Sequence, residues 1–126
     1  VLFRSQPDGD LTEPINSLEE LEDKDCVWRK YVNNQLKERY RDLFGRLDLL
    51  VMLQVPSFEK VYEWRSLQER KLKMTTLGQK NLRVMDELEL RRFISHYERL
   101  TRFMLREMPS RVDMLFKVND NHRICI

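Results

Sequence analysis

The chain has 126 residues and a mass of 15.5 kDa, with 23 Lys+Arg against 21 Asp+Glu, 41% hydrophobic and 35% charged residues, three Gly, four Pro and two Cys. That is one domain at most, and no apolar run approaches the roughly 20 residues of a membrane helix, nor does a charged-then-apolar leader occur, so neither a spanning nor a secreted protein is expected. Cys26 and Cys125 have no disulfide-framework or metal-ligand spacing, which points to a reducing cytoplasm, and Gly9, Gly45 and Gly78 stand too far apart for a GxxxxGK[ST] or GxGxxG phosphate loop.

The small net charge hides an asymmetry. Residues 1–26 hold eight acidic and two basic side chains, whereas the other hundred hold 21 basic and 13 acidic. The acidic head reads first as solvated surface; a self-masking tail, or one wall of a site for a cation or polyol, are the alternatives. Val1 to Thr12 has no periodicity and is expected to be disordered or a severed edge. Its first five residues, VLFRS, are the peptide that a common sequencing adapter encodes in one frame, so the natural chain is expected to have been cut near Gln6.

Structure is expected to begin at Ser17, where Ser17 and Glu20 form an S-x-x-E capping box. A second helix is marked by Val32, Leu36, Tyr40, Leu43, Phe44 and Leu47, whose spacings of three and four predict one buried face. Asp48 to Val55 is a nearly unbroken apolar run of strand length, suited to a strand covered on both faces. Pro56 stops it, Ser57 caps the next helix, and Phe58, Val61, Tyr62 and Arg65 share a stripe of that helix. Met74 to Met85 lacks a helical period and reads as an irregular loop of a length typical of functional lids.

Asp86 and Glu89 make another cap pair for the clearest helix. Its apolar face is Leu90, Phe93, Ile94, Tyr97, Leu100, Met104 and Met108, and Arg92, Arg99, Arg102 and Arg106 lie opposite. Pro109 ends it, Val112 to Val118 reads as a second strand, and His122 to Ile126 begins a further extended run. The order helix, helix, strand, helix, loop, helix, strand predicts an α/β fold, with two or three short parallel strands, flanking helices and an incomplete sheet.

Three constellations bear on chemistry. Trp64-Arg65 with Gln68-Glu69 is either an i,i+4 surface ion pair or an arginine held by Glu69 and aimed past the carboxyl edge of the sheet, where open α/β folds bind ligands and a guanidinium stabilises phosphoryl charge. His96 to Arg102 (HYERLTR) offers Arg99 and Arg102 as a solvated stripe or a phosphate-facing pair, with His96 as a titratable neighbour and Tyr97 packed inward. Trp28-Arg29 with Tyr31 is a packed indole beside a surface arginine, or a pocket wall. Interleaved acids and a pI of 8.6 argue against nucleic acid. No catalytic triad, cysteine dyad or metal cluster can be argued from the residues.

EPINSLEELEDKDCVWRKYVNNQL (Glu13 to Leu36), LDLLVMLQVPSFEKVYEWRSLQERKL (Leu47 to Leu72) and FISHYERLTRFMLREMPSRVDMLFKV (Phe93 to Val118) together resemble the C-terminal half of bacterial glycerate-kinase-like proteins. These are P-loop kinases of the phosphoribulokinase and uridine kinase group. The resemblance covers residues 13–124 in order and rests on the EWRxxQExxL and HYERLTRxMLxExPxRxD patterns. It implies ATP- and Mg²⁺-dependent phosphorylation of a small hydroxylated acceptor, D-glycerate or a relative. It also implies a lid at Met74 to Met85, phosphate contacts by Arg65, Arg99 and Arg102, and a substrate site drawn from Trp28, Arg29, Trp64, Gln68, Glu69, His96 and Tyr97. This chain reads V-M-D-E at Asp86-Glu87 where the family tends to M-S-D-E, its lid is poorer in Gly, and the Walker A segment is absent from these residues. Residues 13–126 are therefore expected to be the C-terminal part of one kinase-like domain, inactive alone. The alternative is a non-enzymatic α-rich interaction module whose arginine stripe binds an acidic partner or nucleic acid.

Overall fold

A computed structural model describes residues 5–75 and 84–125. Helices α1 (Ser17–Glu22) and α2 (Val27–Phe44) come first, then β1 (Val51–Gln54), α3 (Phe58–Thr75), α4 (Glu87–Glu107), β2 (Met114–Val118) and β3 (Ile124–Cys125). This is an α/β arrangement with a three-stranded mixed sheet of order β1-β2-β3. β1 and β2 are parallel, Val51 opposite Met114 and Gln54 opposite Lys117. That follows from the long helical crossover, because a tight turn can join only antiparallel strands. The third strand corrects the expectation of an all-parallel sheet: only a short turn separates it from β2, and it pairs antiparallel.

Helix α3 starts where expected, with the Ser57 hydroxyl accepting from the Lys60 N–H. α4 opens on the expected box, in which Asp86 Oδ1 accepts from Glu89 N–H and Glu89 Oε2 from Asp86 N–H. The two helices run antiparallel around a core of Phe58, Leu90 and Ile94, with Tyr62 and Met85 against it. Met74 and Thr75 form the last turn of α3, not the start of a loop; residues 76–83 of the expected lid lie outside the described residues.

Five further expectations are corrected. Residues 5–12 are packed, not disordered: Leu11 is 2% exposed, and Gln6 is buried with its backbone N–H and C=O both bonded to the Asn33 side-chain amide. One amide anchoring a segment leaves no periodic trace in sequence. The cap of α1 is Asn16, one residue early, whose Oδ1 accepts from Glu19 N–H. On α2 the expected apolar face is open, with Val32, Tyr40, Leu43 and the following Leu47 exposed while Arg29 and Asn33 are buried. Polar bonds to the N-terminal segment, not apolar packing, orient this helix. Finally, β1 is covered on one face only: Met52 is buried, whereas Val51 and Leu53, pointing the other way, are exposed. Tyr97, also expected inward, is 54% exposed and lies against Phe93 with ring centroids 5.3 Å apart.

Candidate functional site

The acidic head and the arginines meet in one buried cluster. Asp23 precedes the start of α2, where Cys26 takes a left-handed backbone (φ 58°) and the first helical N–H groups need acceptors. The Asp23 carboxylate supplies them, accepting from Trp28 N–H and Arg29 N–H, and takes a third bond from Arg29 Nε at 2.9 Å. Arg29 also reaches Glu19 Oε2 at 3.3 Å, the Asp23 carbonyl at 2.6 Å and the Cys26 sulfur at 3.0 Å. Glu19 is therefore shared, because Arg99 of α4 grips it from the other side through Nε (2.8 Å) and Nη2 (2.7 Å).

Arg99 has no donor left. A guanidinium carries five N–H groups. Besides the two on Glu19, its remaining bonds go to the carbonyls of Asp10 (2.7 Å) and Glu13 (2.6 Å) and to Gln6 Oε1 (3.5 Å). The side chains of Arg99 and Glu19 are each 11% exposed. Burial pushes the Glu19 carboxyl up, but the bonds from Arg99 and Ile15 N–H and the two guanidinium charges outweigh it and hold it below the usual value of 4.5. At Asp23 burial is again outweighed, by the two helix N–H groups and Arg29, and the carboxyl stays below 3.8. The acidic head is thus no solvated loop at these positions, and Arg99 is no open phosphate contact.

Arg92 and Arg102 of the basic stripe are also met from within the chain, and Arg106 lies over the Phe103 ring. Arg92 pairs with Glu22 through both terminal nitrogens. Arg102 bonds Glu98 at 2.9 Å and Glu59 at 2.6 Å and lies 4.8 Å from the Phe58 ring centroid. The Arg102 bond draws the exposed Glu59 carboxyl down to about 2. His96, exposed, has its Nδ1 at 2.8 Å from the Arg92 carbonyl. Beside the cluster lies a cavity of about 420 Å³ between α2 and α4, reached by Trp28, Val32, His96 and Leu100. Trp28 stands 66% exposed over it and meets Tyr31 edge-on.

A second cavity, about 740 Å³, opens at the carboxyl edge of the parallel strands. α3 leaves the end of β1 to form one wall, the first turn of α4 forms another, and the turn after β2 brings in Asp120 and His122. Asp120 is 3.8 Å from Lys60, and His122, held at φ 59°, sets its ring edge-on to Trp64 at 4.2 Å. Asn119 Oδ1 accepts from the N–H groups of Asn121 and Arg123 and fixes that turn. Such carboxyl-edge crevices are where open α/β sheets place ligands.

Here the Arg65–Glu69 pair expected from spacing is formed, with Nη2 to Oε1 at 2.6 Å and Nη1 to Gln68 Oε1 at 3.1 Å. It is half closed. The Glu69 side chain is 7% exposed, yet among the described residues its Oε2 has no partner, and neither has the buried Ser66 Oγ one turn earlier. Both residues line the cavity together with Trp64 and Arg70. A buried carboxylate oxygen without a donor is costly, and in native structures such atoms mark ligand or functional sites.

The fold therefore divides the residues expected to form one site. Trp64 and Glu69 share the carboxyl-edge cavity; Trp28, Arg29, His96 and Arg99 share the other; Arg102 and Tyr97 lie on the surface of α4. Gln6, Glu19, Asp23 and Asn33 were not singled out by sequence, although the excess of acid in the head over base was the available signal for two of them. Ser66 was missed too, and its i,i+3 spacing from Glu69 was the trace. Among the described residues no group of His, Cys, Asp and Glu is placed to hold a metal ion, and no helix is long and apolar enough to cross a membrane. Compared with known proteins, the chain matches no family model, no curated protein and no solved structure.

Proposed function

We propose that this chain is the C-terminal part of an ATP-dependent small-molecule kinase that phosphorylates a hydroxyl of D-glycerate or a related compact acceptor. The carrying observation is the cavity at the carboxyl edge of the parallel pair, walled by the helix that bears the EWRxxQE pattern. In this reading the acceptor lies against Trp64, Ser66 and Glu69 with Arg70 at the cavity wall, and Arg65, outside the lining, orients Glu69. Arg99 and Arg29 act at a distance, fixing the N-terminal segment to α4. The residues present do not fit a nucleotide–Mg²⁺ site: the sequence has no glycine-rich phosphate loop, and among the described residues no group of His, Cys, Asp and Glu is placed to hold a metal ion, so in this reading ATP and Mg²⁺ would be held by a phosphate loop outside these 126 residues. The internal pairing of Arg92, Arg99 and Arg102 disfavours the reading as a module for nucleic acid or acidic partners, since a phosphate contact at any of the three would displace a carboxylate.

The test is phosphoryl transfer by the longer reading frame. A frame that continues upstream through a hydrophobic strand and GxxxxGK[ST], and whose product converts D-glycerate to a phosphate ester with ATP, supports the proposal, as does an absence of turnover by the 126-residue chain alone. Turnover by the short chain, or an upstream frame without that loop, contradicts it.

A further inference from the structure

The unpartnered atoms of α3 define a ligand more narrowly than the cavity's size does. Glu69 is already charge-neutralised by Arg65 at 2.6 Å, so what Oε2 lacks is a hydrogen-bond donor, not a second positive charge. A neutral hydroxyl supplies that donor without burying a further ion. Ser66 Oγ, one turn back on the same face, is also buried and unpartnered, and it can donate as well as accept. Two groups side by side on one helix face call for two hydroxyls side by side on the ligand. Trp64, steadied by His122, adds a flat apolar wall for C–H groups next to them.

We infer that Glu69 Oε2 and Ser66 Oγ together bind adjacent hydroxyls of a compact polyol or hydroxyacid, making Ser66 and Glu69 the residues that select for a vicinal diol. The inference deepens the kinase reading, and rests on it only for the identity of this cavity as the acceptor site. Both residues line the cavity, and the two atoms themselves are buried in the ligand-free chain. Arg70, at the rim of the cavity, is placed for the negative end of a hydroxyacid. The ligand-free pair carries the cost of two buried polar atoms without partners, and binding removes it.

The experiment uses the full 126-residue chain with Trp28→Phe, which leaves Trp64 as its sole tryptophan, titrated by fluorescence with D-glycerate, erythritol and D-lactate, the last lacking the second hydroxyl. Saturable change with the two diols, and at least tenfold weaker binding of lactate, is expected, because a site built to bond a hydroxyl rejects the analogue without it. Ser66→Ala and, separately, Glu69→Gln should each weaken diol binding about tenfold or more while far-UV circular dichroism is unchanged; a tenfold loss is about 1.4 kcal/mol. Equal affinity for lactate and the diols, no saturation, or wild-type affinity in a folded Ser66→Ala chain overturns the inference, as it would if water alone met these atoms. Diol binding without phosphorylation by the longer reading frame overturns the kinase reading and leaves this one standing. Phosphorylation that neither substitution alters does the reverse.

Discussion

The Arg99 cluster and the Arg65 pair are built from the same parts, a guanidinium and a mostly buried glutamate, and they differ in how far their valences are filled. Around Arg99 all five donors are used and Glu19 is bonded by two arginines and a backbone N–H. Around Arg65 one oxygen of Glu69 and the hydroxyl beside it are left over. A saturated buried ion cluster has nothing to offer a ligand and works as a clamp, here between residues 5–29 and α4. An unsaturated one keeps a binding capacity in reserve. Arginine count and spacing do not distinguish the two; the acceptors that fold in from elsewhere in the chain do.

Substitutions should separate the regions by size of effect. Arg99→Ala leaves Glu19 buried against Arg29 alone and strips the Asp10 and Glu13 carbonyls of their donor, and is expected to cost about 3 to 5 kcal/mol in urea denaturation at pH 7, as for broken buried pairs. A loss under about 1 kcal/mol would mean the clamp is not closed in solution. Arg65→Ala should cost less, about 1 to 3 kcal/mol, because the uncovered charge is then one carboxylate beside a cavity. Adding Glu69→Gln to Arg65→Ala should recover part of that loss by removing the charge; a further loss instead would show that Glu69 is held by more than Arg65.

Acid should act on the clamp. The folded carboxyls of Glu19 and Asp23 titrate below their unfolded values of 4.5 and 3.8, so the stability they contribute is complete above about pH 4.5 and is lost as the pH falls through their lowered folded values. Denaturation midpoints measured from pH 3 to 7 should fall in that acid range for the wild type and less steeply for Arg99→Ala. The smallest effect belongs to Arg102→Ala. Its bonds to Glu59 and Glu98 lie at the surface and its contact with Phe58 is modest, so less than about 1 kcal/mol is expected, reduced further by salt.

Local features of the fold were legible in the sequence because their causes are local. The Asp86–Glu89 box, the Ser57 cap, the i,i+4 reach of Arg65 to Glu69 and the parallel pairing forced by a long crossover all follow from residues a few positions apart or from connection length. The clamp was not legible, because Glu19 and Arg99 are 80 residues apart and their match appears only as opposite charge in two halves of the chain. The helical stripe of α2 misled for a related reason: Val32, Tyr40 and Leu43 have the right period, but the part of that face which is buried is held by Arg29 and by the Gln6–Asn33 amide pair, both polar, while Val32, Tyr40 and Leu43 stay exposed. At the cavity, sequence pointed to Trp64 and Glu69; the fold added Ser66 on the same helix and, by bringing the turn after β2 across to α3, Asp120 and His122.

The contrast between the two arginine regions is tested most directly by a ¹⁵N nuclear magnetic resonance titration of the chain with D-glycerate. Saturable shifts of the Trp64 indole N–H and the amides of residues 66–70, with the Trp28 indole and the amides of residues 19–33 unmoved, are the expected result. Shifts gathered at Trp28, Arg29 and Arg99, with Trp64 and residues 66–70 unmoved, would contradict the account, because the cluster read here as closed would then be the site that binds.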